Sequence, residues 1–229
     1  MEFKPIGVVD SPFHHKFATP RQPAASPSSR AILVLDRTIV AEGCLHSLEG
    51  FSHLWVIFHF HQTQWGNPHG KVQPPRLRGE KVGVFASRSP HRPNPIGLSL
   101  VKIENIDFKN MHIEISGVDV VDQTPIIDIK PYIGSYDRPE VWQEGWPANI
   151  KDSVNKVTWS PQALADSETH GVPNEIKKVV EESLSADVRN RADKKINDPN
   201  KVFAAKISDW DFYFQWLGDH FNVVEVIKN

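Results

Sequence analysis

Proline sets the first limit on what this chain can fold into. Eighteen of its 229 residues are proline, and three of them, Pro90, Pro93 and Pro95, fall within the stretch GVFASRSPHRPNPIGLSL, residues 83–100. Each proline fixes its own φ, lacks an N–H and pushes the residue before it towards extended backbone, so no helix runs through such a stretch. The first 135 residues otherwise offer short apolar runs separated by Pro- and Gly-bearing turns. These runs are KPIGVVDS, AILVLD, HLWVIFHFHQ, KVGVFASR, LSLVKIENIDF, MHIEISGVDVV and TPIIDIKPY. Many short strands without a long amphipathic helix predict a mainly β structure that closes, or nearly closes, into a barrel. One short helix is expected over EGCLHSLEGF.

Past SYDRPEVWQEGWPANI the character changes. In PNEIKKVVEESLSADVRN, Ile176, Val179, Val180 and Leu184 recur at helical spacing with charges between them. VFAAKISDWDFYFQWLGDHFNVVEVI then alternates as two strands around a turn at Gly218 and Asp219. A boundary near residue 150 gives a β-barrel domain over 1–150 and a small α+β domain over 151–229. The second is small for a self-sufficient core, so it is expected to lean on the first or on another subunit.

Composition excludes several classes. At 39% hydrophobic and 24% charged residues the chain is globular rather than disordered. No apolar run approaches the ~18 residues of a spanning helix, and MEFKPIGVVDSPF lacks the apolar core of a signal peptide. The single cysteine, Cys44, forms no internal disulfide. Together these predict a soluble cytoplasmic protein with no membrane partner. Net charge is −2 overall, yet residues 71–92 hold Lys71, Arg76, Arg78, Lys81, Arg88 and Arg92 against Glu80 alone, six minus one giving +5. A basic stripe on a neutral body suits a phosphate-contacting face, although a solvated charged surface has the same composition.

No glycine has another two positions on, and neither a GxxxxGK[ST] loop nor a GxSxG elbow occurs, which argues against a doubly wound cofactor site. His53, His59 and His61 share a strand face. Zinc wants three or four ligands and nothing nearby completes a set, so no metal centre is expected. The preferred reading makes His61 and Gln62, at the strand's exit, partners of a polar ligand. ATPRQPAASPSS carries Arg21 and Gln22 on a proline-stiffened loop, where little entropy is lost on ordering around a ligand. Arg88 sits on the stiff loop of the opening stretch, able to grip carboxylate or phosphate bidentately. Asp119, Asp122 and Asp128 supply acids that suit ribose hydroxyls or an ammonium group, or that pair with Arg88 or Lys130.

GVFASRSPHRPNPIGLSL, with FSHLWVIFHFHQT before it and DVVDQTPIIDIKPY after it, resembles the TsaA-like (YaeB) family. The likeness runs from about residue 3 to 140 and continues more weakly into KISDWDFYFQWLGDHFNVVEV. The resemblance implies a non-Rossmann β-barrel methyltransferase that uses S-adenosylmethionine and acts as a homodimer. Its implied substrate is the tRNA anticodon stem-loop, at N6 of the threonylcarbamoyl-adenosine just 3′ of the anticodon. Carried over position by position, the cofactor is held by Pro20, Arg21, Gln22, His61, Gln62, Arg88, Leu98, Asp119, Val120, Val121 and Asp122. Lys71, Arg76, Arg78, Lys81 and Arg92 then face RNA phosphates. Phe85 or Trp65 is a candidate to stack on an unpaired base, with a place in the core as the other role for each. His61, His91 and Asp122 are the candidate proton acceptors, and the residues do not choose among them. Two rivals stand beside this reading: a non-catalytic anticodon-loop RNA-binding module, and a metal-dependent hydrolase built on His53, His59 and His61.

Overall fold

Alternation of apolar and polar residues decides the barrel strands, and a computed structural model describes residues 2–63, 70–77, 79–150, 154–190, 192–196 and 198–229. In chain order its first strands are β1 (Gly7–Asp10), β2 (Arg30–Leu35), β3 (His53–His59), β4 (Lys71–Val72), β5 (Val82–Gly83), β6 (Ile96–Asp107), β7 (His112–Ser116) and β8 (Thr124–Pro131). They are followed by α1 (Gly134–Asp137), β9 (Lys156–Trp159), α2 (Pro161–Thr169), α3 (Asn174–Ser185), β10 (Val202–Ile207), β11 (Trp210–Trp216) and β12 (His220–Lys228). The protein is mainly β, its longer helices lie towards the C-terminus, and no described helix is long and apolar enough to cross a membrane.

The chain divides into two compact units. The first comprises Met1–Asp10, Ile32–Ile115 and Gln123–Lys151. It holds a closed barrel in the order β1-β2-β7-β6-β3-β8, with β8 antiparallel to β1 along one edge and to β3 along the other. Leu54, Val56 and Phe58 point inward from β3 with Val9, Leu33, Leu35, Val101, Ile113 and Ile126. Their neighbours His53, Trp55, Ile57 and His59 are half-buried on the other face, as a period of two requires. Gly97 of β6 lies directly opposite Phe58, and a Cβ there would meet the Phe58 ring.

The second unit comprises Ser11–Ala31, Ser116–Asp122 and Asp152–Asn229. Its sheet runs β10-β11-β12-β9, antiparallel except for the parallel pair of β12 and β9. Phe203, Phe212, Phe214, Phe221 and Val223 fill the sheet's core. Helix α3 buries Val179, Val180, Ser183 and Leu184, while Ile176 is half-buried. Helix α2 opens on Pro161, and the Ser160 side chain caps it by accepting the Ala163 N–H at 3.0 Å. Phe13 is fully buried, and Phe17 stacks on Phe214 at 6.4 Å between ring centroids.

Four local expectations change. KVGVFASR is a strand only at Val82–Gly83, because Val84–Ala86 forms a 3-10 turn anchored by buried Val84 and closed where the Ser87 N–H and hydroxyl both donate to the Val84 carbonyl. EGCLHSLEGF is not one helix but two 3-10 turns, Glu42–Leu45 and Leu48–Gly50, separated by Ser47 at φ 67°. The C-terminal run folds as three strands, since a second turn at Ser208, φ 53°, reverses the chain between Ile207 and Trp210. The proline loop is bent rather than extended: Arg92 N–H donates to Pro90 O at 2.9 Å and Ile96 N–H to Asn94 O at 2.7 Å. The second of these tight turns is centred on Pro95, whose fixed φ suits it.

Gly97→Ala is expected to destabilise the protein by about 1–3 kcal/mol, because the added Cβ would overlap the buried Phe58 ring and force it to shift. Urea unfolding of the variant is expected to show a lower midpoint with an unchanged m-value.

Candidate functional site

In the first unit β3 leaves the barrel where β6 enters it, because the two strands are antiparallel with His59 opposite Ile96. The pairing continues one residue further, with Phe60 N–H donating to Pro95 O at 2.8 Å. His61 and Gln62 therefore follow directly from the end of the proline loop. His61 turns back, its N–H on His59 O at 2.7 Å, and is half-buried, whereas Gln62 is exposed. Leu98 faces outward on β6 and is 52% exposed. Arg88 is exposed, and His91 is held by its N–H on the Ser89 hydroxyl at 3.2 Å. Arg92 points back into its own loop, donating from Nη1 to Ser87 O at 3.0 Å and Ser89 O at 3.3 Å. His61 and Gln62 thus follow β3 where the proline loop enters β6, and Leu98 is the third residue of β6.

The basic stripe lies partly on the β4–β5 ribbon. Lys71 is opposite Gly83, Lys81 is exposed just before β5, and exposed Arg76 donates to Ile150 O at 3.4 Å. Arg78 and Trp65 lie outside the described residues. Phe85 does not join the core; it is 79% exposed. Among the described residues no group of three or more His, Cys, Asp or Glu is arranged to hold a metal ion. His53 instead shares a 2.9 Å hydrogen bond with Ser52 and meets the Tyr132 ring edge-on.

In the second unit two chain segments are laced together. Gly117 N–H donates to Ser29 O at 2.9 Å, Val118 N–H to the Ser29 hydroxyl oxygen at 2.7 Å, and the Ser11 hydroxyl to Val120 O at 2.9 Å. Asp122 completes the lacing: its Oδ1 accepts Ser11 N–H at 3.0 Å, its N–H donates to Phe13 O, and Oδ2 lies 3.5 Å from His14 Nδ1. Val120 is buried, and Asp119 and Val121 are half-buried beside it. The loop that carries Pro20, Arg21 and Gln22 is fixed from α3. There the Glu182 carboxylate accepts the Ser26 hydroxyl (3.0 Å), the Ser28 N–H (3.1 Å) and the Ser28 hydroxyl (2.7 Å). Pro20 itself is buried. The structure thus brings Pro20–Gln22 and Asp119–Asp122 into one hydrogen-bonded body.

Arg21 shows how charge is handled here. Its guanidinium donates to Arg189 O at 3.1 Å, and desolvation holds its pKa below the usual arginine value against the raising pull of Asp187. Sequence reasoning missed the group behind it. Arg189 is 3% exposed, bonds Asp187 through Nε at 2.9 Å, and lies over the rings of Trp216 (4.9 Å), Phe221 (5.0 Å) and Phe203 (5.7 Å). Lys194 adds a second cation 3.1 Å from Asp187. Burial raises the Asp187 pKa, but the Arg189 hydrogen bond and the charges of Lys194 and Arg189 outweigh it and hold the carboxyl below its ordinary value. The only sequence signal was an Asp and an Arg two apart, just past an amphipathic helix.

The chain as a whole has relatives among known proteins. The family model for the tRNA-methyltransferase O N-terminal domain matches residues 8–138. The mouse tRNA (adenine(37)-N6)-methyltransferase is 50% identical over 139 residues, 60% of this chain and 32% of that protein. A putative S-adenosylmethionine-dependent methyltransferase of Pseudomonas aeruginosa, RcsF, is 37% identical over 215 residues, 93% of this chain and 90% of that protein. The crystal structure of TrmO from Pseudomonas aeruginosa superposes with a TM-score of 0.80 at 31% identity, covering 99% of this chain and 98% of that one. The chain spans only about a third of the length of the mammalian relatives it matches.

The Asp187–Arg189 pair makes a pH-dependent prediction. A carboxyl whose pKa is lowered on folding contributes stability that is complete above its unfolded value, about 3.9, and is lost as pH falls through the folded value. Asp187→Asn is therefore expected to cost about 3–5 kcal/mol at pH 7 by leaving Arg189 buried without its anion. Its deficit against the parent protein is expected to shrink as the pH falls below about 4. Urea titrations of both proteins at neutral and acid pH check this.

Proposed function

This chain belongs to the tRNA-methyltransferase O family, and from that membership we propose that it is an S-adenosylmethionine-dependent tRNA methyltransferase. The proposed target is N6 of the threonylcarbamoyl-adenosine just 3′ of the anticodon. The observation that carries the reading is the braced proline loop that enters β6 where β3 runs out to His61 and Gln62, a loop on which Arg88 is exposed, followed on β6 by outward-facing Leu98. We propose that the cofactor set is drawn from residues 1–150 and that 151–229 is accessory, a division by sequence that the compact units cut across, since Ser11–Ala31 and Ser116–Asp122 belong to the unit of 152–229.

The side chains fit the cofactor's chemistry. Arg88 is the group suited to its carboxylate, Asp119 and Asp122 to ribose hydroxyls or the ammonium, and exposed Leu98 to an adenine face. Pro20, Arg21, Gln22, His61, Gln62, Val120 and Val121 complete the proposed set. When bound, S-adenosylmethionine supplies an electrophilic methyl group on a sulfonium. The chain's own contribution is to orient that group and the target nitrogen, which requires loops that do not rearrange. Glu182, Ser29 and Asp122 provide such fixing in one body, and Arg92 does so in the other. The urea-like target nitrogen gives up its proton as the new bond forms, and His61, His91 and Asp122 are the proposed acceptors. No covalent bond to the protein is needed.

Lys71, Arg76 and Lys81 are proposed to meet the anticodon-loop phosphates, with Arg78 as a further cation of the same sequence stripe; Arg92, folded back onto Ser87 O and Ser89 O, is proposed to brace its loop instead. We further propose that the protein works as a homodimer in the cytoplasm, where its substrate resides. Exposed Tyr136, Val141 and Trp142 of the first unit are apolar enough to serve a self-interface.

Arg88→Ala is expected to abolish S-adenosylmethionine binding measured by calorimetry, and with it methyl transfer followed by mass spectrometry of the anticodon-loop nucleoside. Intact cofactor affinity in that variant removes the proposed role of Arg88. If the parent protein binds tRNA in a salt-sensitive way but is indifferent to S-adenosylmethionine, it is an RNA-binding module and not an enzyme.

A further inference from the structure

Phe85 sits oddly for so large an apolar side chain. It follows Val84, which is 5% exposed, yet is itself 79% exposed. Leaving a phenyl ring in water forgoes the stabilisation that burial of an aromatic brings. The exposure does not come from a slack loop. Ser87 closes the turn onto Val84 O through its N–H (3.1 Å) and its hydroxyl (2.8 Å), and Trp146 Nε1 donates to Ala86 O at 2.7 Å. Arg92, bonded to Ser87 O and Ser89 O, carries its guanidinium carbon 6.0 Å from the Phe85 ring centroid. Five hydrogen bonds therefore brace the turn that carries the ring, with a cation over the ring.

The surroundings of the ring are basic. Lys71 lies opposite Gly83 across the β4–β5 ribbon, Val84 N–H donates to Gly70 O, and Lys81 leads into β5. Protein interfaces are depleted in lysine and exclude charge from their centres. Single-stranded nucleic acid asks for the reverse, an aromatic face among cations that follow the backbone. We propose that Phe85 is a stacking platform for an unpaired nucleobase of the substrate RNA, with Arg92 as the positioning residue behind it and Lys71 and Lys81 meeting the flanking phosphates. This rests on the RNA-methylating reading given above and adds to it a base contact outside the proposed cofactor set.

The test uses the full chain and an anticodon stem-loop RNA carrying threonylcarbamoyl-adenosine, with affinity read by fluorescence anisotropy at several salt concentrations. Phe85→Ala is expected to weaken binding about tenfold, within the roughly 5- to 150-fold span of a lost base stack. The dependence of log Kd on log salt is expected to keep its slope, because a stack releases no counterions. Lys71→Ala and Lys81→Ala are each expected to lower that slope by about one. Phe85→Trp is expected to retain affinity, and S-adenosylmethionine binding and thermal stability are expected to be unchanged in Phe85→Ala. RNA affinity within twofold of the parent in Phe85→Ala overturns the platform while leaving the methyltransferase reading intact. A change of oligomeric mass with unaltered RNA affinity also overturns it, by assigning the ring to an interface between copies. A parent protein that neither binds nor methylates the RNA instead removes the functional reading on which the platform stands.

Discussion

The double pairing of β8 is the constraint on which the first unit depends. Thr124 and Ile126 pair with Val9 and Gly7 on one side, while Asp128, Ile129, Lys130 and Pro131 pair with β3 on the other. That strand turns an open sheet into a barrel, which removes exposed edges and leaves loops as the only irregular surface. Its prolines, Pro125 and Pro131, stand next to its first residue and at its last, where a missing N–H is tolerated. The register with β3 shifts between Ile57 and Phe58, just before that strand runs out towards His61 and Gln62. Bulges at barrel rims re-aim the chain that leaves them, and this one precedes the segment that carries two of the proposed cofactor contacts.

Each unit fixes its share of the proposed contacts by a different device. In the barrel unit the fixing is local, through tight turns in the proline loop and a guanidinium folded back onto carbonyls. In the other it is long-range, since Glu182 holds residues 26–28 and Asp122 holds residue 11 across more than a hundred positions. Both devices satisfy backbone groups that a coil would otherwise leave to water, and both restrict motion where the proposed transfer reaction needs fixed geometry. Charge in the second unit is treated similarly. Arg189 is withdrawn from solvent onto three aromatic rings, and its anion lies two residues away.

Much of this was legible because strand periodicity is a local signal. HLWVIFHFHQ, LSLVKIENIDF and TPIIDIKPY alternate so regularly that β3, β6 and β8 fall where the pattern puts them. The motif GVFASRSPHRPNPIGLSL located Arg88 and the rigid loop that carries it, but not the tight turns that bend that loop. Legibility ended where hydrogen bonds between distant residues decide the outcome. KVGVFASR reads as a strand until Ser87 closes the turn onto Val84, an arrangement with no apolar period to betray it. The turn at Ser208 uses a left-handed serine in place of glycine or asparagine, so the usual hairpin signal was absent. Glu182 looked like any charge on the outer face of a helix; only the fold turns it towards Ser26 and Ser28.

The braced turn under Phe85 also bears on rates. A ring whose backbone is already fixed has no conformational search left to complete when a partner arrives. Capture is then governed by diffusion and by the pull of nearby lysines on an approaching polyanion, with rearrangement left to whatever docks. Encounters at such a surface are quick and sensitive to ionic strength, and the time spent bound is set by how well the docked groups fit.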